Sequence, residues 1–226
     1  MKRIKDPIYG YIYIPKEIVK DIIDTAEFQR LRYIRQTSYL PVYPSALHNR
    51  FTHSLGVYHL GNIAFEAVTK EYDKLDINAC IDIERIKEIF TLSCLLHDIG
   101  HAPFSHSGED FYLDTPDSLD TKLEELVDDE IFSREMKEYH NKKKNAAPHE
   151  IMSVILSLSQ FGDTLKNSEE RSLFARCITG YRYSNTNNDT KLSLYNAIIS
   201  LLNSSTIDVD RLDYLIRDAF VMGYNS

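Results

Sequence analysis

The sequence predicts an all-α protein, a helical bundle with a small β-hairpin at its N-terminus. Apolar residues recur at helical spacing along most of the chain, and strand-like segments do not alternate with helical ones. Strand signals are concentrated in residues 5–14, where β-branched and aromatic residues flank Gly10. Together with the absence of an internal repeat, these observations favour a single helical domain over residues 1–226.

The elements of the N-terminal region follow from local signals. Pro15 suits the first turn of a helix, and Asp24 with Glu27 three residues later predicts a capping box that opens the next helix. A loop with two prolines is expected at 39–44, and a long helix from about Arg50. The arginines of the second helix are expected on a solvated face: Arg30, Arg32 and Arg35.

The later helices are separated by polar segments at 71–82 and 184–190. The most apolar helix runs from Ile83 to Asp98, and Gly100 is expected to end it. Further helices are predicted near 119–131, from Pro148, near 168–179, near 190–203 and from Asp208.

Composition and charge restrict the functional class. Hydrophobic residues make up 43% and charged residues 27% of the 226 residues, as in ordinary globular proteins. The net charge of −8 argues against broad nucleic-acid binding, and no apolar run approaches the ~20 residues of a membrane span. Three widely spaced cysteines and a polar N-terminus without a signal-peptide pattern predict a reduced, cytoplasmic protein.

Histidines and carboxylates are the strongest candidates for chemistry. No glycine precedes a lysine as in a phosphate-binding loop, and the sequence contains no Gly-x-Ser-x-Gly. Three of the eight histidines and Asp98 fall within 95–106, after an apolar run where an unpaired carboxylate is costly. His and Asp bind divalent ions well, so a metal site is one interpretation. For each residue taken singly, the other interpretation is a hydrogen-bonded structural role.

Three phrases of the sequence contain most of these side chains. They are His48-Asn-Arg-Phe-Thr-His53-Ser-Leu-Gly-Val57, Leu96-His97-Asp98-Ile-Gly-His101-Ala-Pro-Phe-Ser-His106 and Ile207-Asp-Val-Asp210-Arg-Leu-Asp-Tyr214-Leu-Ile-Arg-Asp218. They resemble the HD-domain phosphohydrolases, and more narrowly the deoxynucleoside triphosphate triphosphohydrolases. Segments 6–10 and 28–36 also resemble that family, so the resemblance extends from residue 5 to about 223. It implies an HD-domain bundle that is the N-terminal part of a longer architecture.

The resemblance also implies a divalent metal ion held by His53, His97, Asp98 and Asp210. Such a ligand set leaves positions open for water and a phosphate oxygen. Carboxylate ligands without cysteine favour Mn, Fe, Mg or Ni, with Zn as a further candidate. The resemblance assigns roles in catalysis to His149, His106, His101, Glu150 and Glu109. It assigns substrate contacts to Arg50, Gln36, Arg211, Tyr214 and Asp218.

Two positions depart from the family pattern. The best-known members carry Lys where this chain has Arg211, which keeps the charge but changes its geometry. After Gln36, a Gly-rich continuation is replaced by Thr37-Ser-Tyr-Leu-Pro41, beside the expected sugar site.

The reaction implied by the resemblance is hydrolysis of a dNTP to deoxynucleoside and triphosphate. Water would attack the α-phosphorus, and a histidine would protonate the leaving 5′-oxygen. Two alternatives stay open: another nucleotide phosphohydrolase, such as a monophosphatase or cyclic-nucleotide phosphodiesterase, and a catalytically silent nucleotide-sensing module. The expected partners are a nucleotide, above all a dNTP, and further copies of the chain in a homo-oligomer, with no membrane.

Overall fold

A computed structural model of the chain describes residues 1–37, 42–72, 82–112, 116–184, 186 and 189–223. The predicted fold class is confirmed, because this part of the chain is helical apart from one two-stranded hairpin. None of its helices combines the length and the apolar character needed to cross a bilayer. The loop predicted at 39–44, the break at 71–82 and the turn at 184–190 lie partly outside the described residues.

The N-terminal hairpin pairs β1 (Lys2–Asp6) with β2 (Gly10–Ile14) in antiparallel register. Side chains alternate along β2, so that Ile12 is buried in the core while Tyr11 and Tyr13 are about half exposed. The hairpin begins earlier in the chain than predicted, because the basic residues of β1 still pair across the ladder.

The helices follow in chain order. α1 (Lys16–Ile18) continues as a π-helical stretch (Val19–Ile23), and α2 (Ala26–Gln29) continues as a 3₁₀ turn (Arg30–Tyr33). The longer helices are α3 (Arg50–Tyr72), α4 (Ile83–Leu96), α5 (Pro116–Val127), α6 (Glu130–Asn141), α7 (Pro148–Phe161), α8 (Ser168–Thr179), α9 (Thr190–Leu202) and α10 (Val209–Met222). Short 3₁₀ stretches cover Ser105–Tyr112 and Gly162–Thr164.

The N-terminal helices differ from the prediction in two details. Thr25, not Asp24, caps α2, since its hydroxyl accepts a backbone N–H of the first turn. Asp24 instead closes the last turn of the preceding helix. The solvated face predicted for three arginines holds for Arg32 and Arg35, which are exposed. It is wrong for Arg30, which is partly buried and donates to two backbone carbonyls that follow α4.

The segment predicted near 119–131 as one helix forms two, α5 and α6. Asp128 interrupts the helical path with a positive φ of 55°. Asp129 then caps α6 by accepting the N–H of Ile131 at 2.8 Å. The aspartate pair is a turn and a cap, which apolar periodicity alone does not reveal.

The last helix presents a charged face to the rest of the bundle. α10 packs against α3, and α3 packs against α4. The buried residues of α10 are Val209, Asp213 and Arg217. Leu215 and Ile216, which belong to the apolar pattern of this helix, are 51% and 40% exposed. The position of α10 therefore depends on polar contacts of Asp213 and Arg217.

A buried ion pair joins α6 to α8 and gives a prediction about stability. Nη2 of Arg176 lies 2.7 Å from Oε2 of Glu135, and the two residues are 0% and 3% exposed. Glu135→Ala is expected to lower the free energy of unfolding by about 3–5 kcal/mol, because it leaves a buried guanidinium without its partner. Glu138→Ala, at an exposed position of the same helix, is the matched control. Urea denaturation measures both, and equal stability of the two variants would contradict the expectation.

Candidate metal centre and adjoining pocket

The candidate metal ligands come from three helices that meet. His53 lies in the first turn of α3, His97 and Asp98 follow α4 directly, and Asp210 lies in the first turn of α10. Because α3 packs against both α4 and α10, residues far apart in the sequence become neighbours.

The ligand atoms lie at the spacing that one ion requires. Nε2 of His53 is 3.2 Å from Nε2 of His97 and 2.9 Å from Oδ1 of Asp210. Nε2 of His97 is 3.7 Å from the same Asp210 oxygen. The oxygens of Asp98 lie 3.7 and 3.6 Å from these two imidazole nitrogens. Two atoms bound to one ion at ~2.1 Å stand roughly 3–3.5 Å apart. His53, His97 and Asp210 therefore form a group that one divalent ion could share, and Asp98 lies beside both imidazoles as a further candidate ligand.

Burial and charge also favour a cation at this position. Burial lowers the pKa of His53, but hydrogen bonds with Asp210 and Asp213 outweigh it and raise that pKa to about 10. Burial raises the pKa of Asp98, yet the surrounding cations, above all Arg50, hold it well below its usual range. The buried carboxylates therefore draw positive charge, as protons or as a metal ion, and metal binding would release protons from the imidazoles.

The turn that carries the ligands after α4 is held through its backbone. The three consecutive carbonyls at 99–101 accept hydrogen bonds from the side chains of Arg30 and Tyr112. The N–H of Gly100 donates to Oγ of Ser153 at 2.8 Å, and a Cβ at this position would lie 2.3 Å from the Ser153 nitrogen. Gly100 is thus required by the close approach of α7. Its predicted role as the end of α4 is wrong, since α4 ends earlier.

Three histidines surround the carboxylate of Glu109. Its Oε1 lies 2.6 Å from Nδ1 of His106, 2.9 Å from Nδ1 of His149 and 3.8 Å from Nδ1 of His101. These four residues also have the spacing of a metal site. However, the rings of His101 and His149 stack with centroids 4.0 Å apart, and parallel rings cannot both aim an in-plane lone pair at one ion. We interpret the group as a hydrogen-bonded cluster around Glu109.

The protonation of this cluster follows from its burial. Burial and the neighbouring histidines lower the pKa of His149 to about 4, so its ring is neutral at pH 7. The hydrogen bond to Glu109 then requires the proton on Nδ1, which leaves Nε2 as an acceptor. Burial also lowers the pKa of His101. The side chain of His106 is 69% exposed.

Glu150 follows His149 in the sequence, but its carboxylate is used elsewhere. One oxygen accepts the N–H of Ala147 at 2.6 Å, and the other accepts the amide of Asn203 at 2.8 Å. Burial raises the pKa of Glu150 to about 7. The imidazole contacts described above are therefore made by Glu109, and a catalytic role for Glu150 stays a prediction.

A pocket of about 450 Å³ adjoins both groups. Apart from Thr37, its wall consists of predicted site residues. The lining residues are Gln36, Thr37, Arg50, Asp98, His101, His106, His149, Asp210, Arg211, Tyr214 and Asp218. Three other predicted site residues are buried: His53, His97 and Glu109. His97 and Glu150 line a smaller cavity that also has His149, Asp210 and Arg211 in its wall.

Asp213 and His48 were not predicted as site residues, yet each contacts one. Oδ2 of Asp213 lies 2.7 Å from Nδ1 of His53. Nε2 of His48 lies 2.9 Å from Oδ1 of Asp218. For Asp213 the sequence contained a signal. Asp213 and Arg217 carry opposite charges four residues apart on a helix, and this spacing indicates an ion pair.

The chain is similar in sequence to a known family and to individual known proteins. The sequence model of the family described as HD domain matches residues 50–215. The protein YwfO of Bacillus subtilis is 35% identical over 98% of this chain and 40% of its own length. The human deoxynucleoside triphosphate triphosphohydrolase SAMHD1 is 34% identical over 99% of this chain and 34% of its own length. The chain thus spans well under half of each of these two relatives.

The fold also matches solved structures. The structure of a phosphohydrolase from Bacteroides thetaiotaomicron superposes on the whole chain with a TM-score of 0.63 at 28% identity, using 44% of its own length. A structure from Aquifex aeolicus covers 98% of the chain with a TM-score of 0.61 at 26% identity, using 47% of its own length.

Proposed function

The chain belongs to the HD domain family, and on that premise we propose that it is a metal-dependent phosphohydrolase that cleaves dNTPs to deoxynucleoside and triphosphate. The observation that carries this proposal is the pocket, where the carboxylates proposed as metal ligands, cationic groups and polar residues line one cavity of about 450 Å³. Similarity to a phosphohydrolase and to a dNTP triphosphohydrolase supports it. The homo-oligomer, the single domain over 1–226 and the cytoplasmic location stay predictions.

The metal ion would be held by His53, His97, Asp98 and Asp210. When bound, such an ion lowers the pKa of water and neutralises phosphate charge. The nitrogen and oxygen donors suit Mn, Fe, Mg or Ni, and also allow Zn.

The phosphates would lie against the cationic part of the pocket. A triphosphate carries about four negative charges and needs several donors around it. Arg50 donates to Asp98 at 2.5 Å and to Ser105 at 2.7 Å. Its buried Nε has no hydrogen-bond partner among the described residues. A phosphate oxygen would satisfy this donor, and Arg211 and His101 line the same pocket.

Proton transfer would use the histidines that Glu109 orients. Glu109 accepts the Nδ1 protons of His106 and His149, which leaves their Nε2 atoms for the substrate. A bound polyphosphate adds negative charge next to these rings and favours a proton on Nε2. A protonated imidazole in this position can donate its proton to the leaving 5′-oxygen.

The sugar would lie near Gln36, Tyr214 and Asp218, which line the pocket together with the phosphate-facing residues. The ring of Tyr214 can pack against a deoxyribose, where a 2′-hydroxyl would be crowded. Deoxynucleotides should therefore be preferred to ribonucleotides.

The test of the proposal is product analysis with a substrate panel. Purified protein is incubated with Mn²⁺ or Mg²⁺ and each dNTP, NTP, dNMP and cyclic nucleotide, and a His149→Ala protein purified in parallel controls for contaminating phosphatases. Release of intact triphosphate from dNTPs is the expected result. Orthophosphate from monophosphates, or cleavage of cyclic nucleotides with dNTPs untouched, would indicate another phosphohydrolase. Metal binding without any turnover would favour a nucleotide-sensing module.

A further inference from the structure

The turn between the two N-terminal strands contacts the metal centre through a buried network. This turn, residues 6–10, belongs to the family resemblance, and the proposed function gives it no role. Oδ1 of Asp6 accepts the backbone N–H groups of residues 8 and 9 at 2.8 and 3.1 Å, which holds the turn in shape. Its Oδ2 accepts from Nη1 of Arg217 at 3.0 Å. The hydroxyl of Tyr9 donates to Oδ1 of Asp213 at 2.8 Å.

Asp213 lies at the centre of this network. Its Oδ2 is 2.7 Å from Nδ1 of His53 and accepts from Nε of Arg217 at 3.0 Å. Its Oδ1 accepts from Tyr9 and, at 2.9 Å, from Nη2 of Arg217. Asp213 is 0% and Arg217 is 2% exposed, so water does not compete for these hydrogen bonds. Each carboxylate oxygen thus has two partners, and the side chain has little freedom to move.

Helix α3 leaves space for this carboxylate at Gly56, one turn after His53. A Cβ at position 56 would lie 1.8 Å from Oδ1 of Asp213 and 2.5 Å from Nη2 of Arg217. Any side chain there would displace the Asp213 carboxylate and the Arg217 guanidinium. The glycine therefore allows a charged residue of α10 to reach the imidazole of His53.

We propose that Asp213 is the positioning residue of the metal ligand His53, and that Tyr9 and Arg217 hold it in place, so that the N-terminal hairpin contributes to metal affinity. The inference rests on the metal site of the proposed function. A carboxylate on one ring nitrogen fixes the tautomer and direction of the other. Here the other nitrogen, Nε2, faces Asp210 and His97. If the ion pair between Asp213 and Arg217 served stability alone, it would not require an Asp213 oxygen within hydrogen-bond distance of His53.

The test compares metal affinity with stability in three variants. Asp213→Asn removes the charge, and Tyr9→Phe removes only a hydroxyl while keeping the ring beside His59. Tyr11→Phe, at a half-exposed position of the same hairpin, is the matched control. Mn²⁺ dissociation constants and melting temperatures without metal are measured for each. Asp213→Asn is expected to weaken Mn²⁺ binding by about 10–100-fold, Tyr9→Phe by a smaller factor, and Tyr11→Phe not at all.

The outcomes separate positioning from stability. If the first two variants melt earlier but bind Mn²⁺ with the wild-type dissociation constant, the inference is wrong. If Asp213→Asn does not fold, the Mn²⁺ dissociation constant of Tyr9→Phe tests the inference, and a wild-type value would show that it is wrong. A long-range ¹H–¹⁵N spectrum of the Mg²⁺-loaded wild type should show the His53 proton on Nδ1, and a proton on Nε2 would overturn the inference. A wild type that binds no Mn²⁺ would instead refute the metal site, and the proposed function and this inference with it.

Discussion

Replacing Asp210 by Asn is expected to remove the bound metal and, with it, hydrolysis. Oδ1 of Asp210 lies 2.9 Å from Nε2 of His53 and 3.7 Å from Nε2 of His97. A neutral amide is a weaker ligand than a carboxylate for a hard divalent ion. The loss of affinity should exceed the ~10–100-fold that follows removal of an outer-shell partner. Asp210 suits this experiment because 39% of its side chain is exposed, whereas replacing Asp98 would leave the buried Arg50 unpaired.

The matched control is Asp208→Asn, the same chemical change two residues earlier. Asp208 is the N-cap of α10 and accepts the N–H of Arg211 at 2.8 Å. Asn caps helices as well as Asp does, so this variant should keep its metal and its turnover. Elemental analysis and Mn²⁺ titration measure both proteins. A stoichiometric metal ion in the folded Asp210→Asn protein would show that Asp210 is not a ligand.

His149→Ala and His106→Ala are each expected to lower kcat by ~10²–10⁴-fold while the metal stays bound. Both rings have Nδ1 on Oε1 of Glu109, at 2.9 and 2.6 Å, and both line the pocket. Neither belongs to the group formed by His53, His97 and Asp210. The expected defect is therefore in proton transfer to the leaving group and not in metal binding.

The control for these histidines is His140→Ala. His140 is partly buried on α6 and contacts Tyr181 and Asp120, away from the pocket residues. Its removal should leave kcat and metal content unchanged. Steady-state kinetics with metal analysis distinguishes the three variants. Wild-type kcat in both His149→Ala and His106→Ala would assign these side chains a structural role.

Several features of the molecule were predictable because their signals are local. The β-branched and aromatic residues that flank Gly10 indicated the hairpin, and helical spacing of apolar residues indicated most helices. The three phrases around His53, His97-Asp98 and Asp210 indicated the HD domain family, which the match over 50–215 confirms. Ten of the predicted site residues line one pocket in the structure, and their roles stay predictions.

Apart from the local turn and caps at Thr25, Asp128 and Asp129, the errors occurred where a residue's role depends on a neighbour distant in the sequence. Arg30 was predicted to lie on the solvated face of a helix. It donates hydrogen bonds to the backbone carbonyls of Ile99 and His101 instead. Gly100 was predicted to end a helix. A glycine is required there because the backbone of α7 at Ser153 approaches too closely for a side chain. Glu150 and Glu109 were both predicted to act in catalysis; the observed contacts to imidazoles come from Glu109, and the role of Glu150 stays a prediction.

The helical class, the family and the candidate groups for binding a metal and a phosphate could be predicted from the sequence alone, since these depend on residue type and spacing. Only the tertiary structure decided which partner each group has. Asp213 illustrates the reason, because its contacts with His53, Tyr9 and Arg217 exist only once α10, α3 and the hairpin pack together around Gly56. Hydrogen bonds and close approaches between distant segments are set by the packing of helices, and the pattern along one helix carries no information about them.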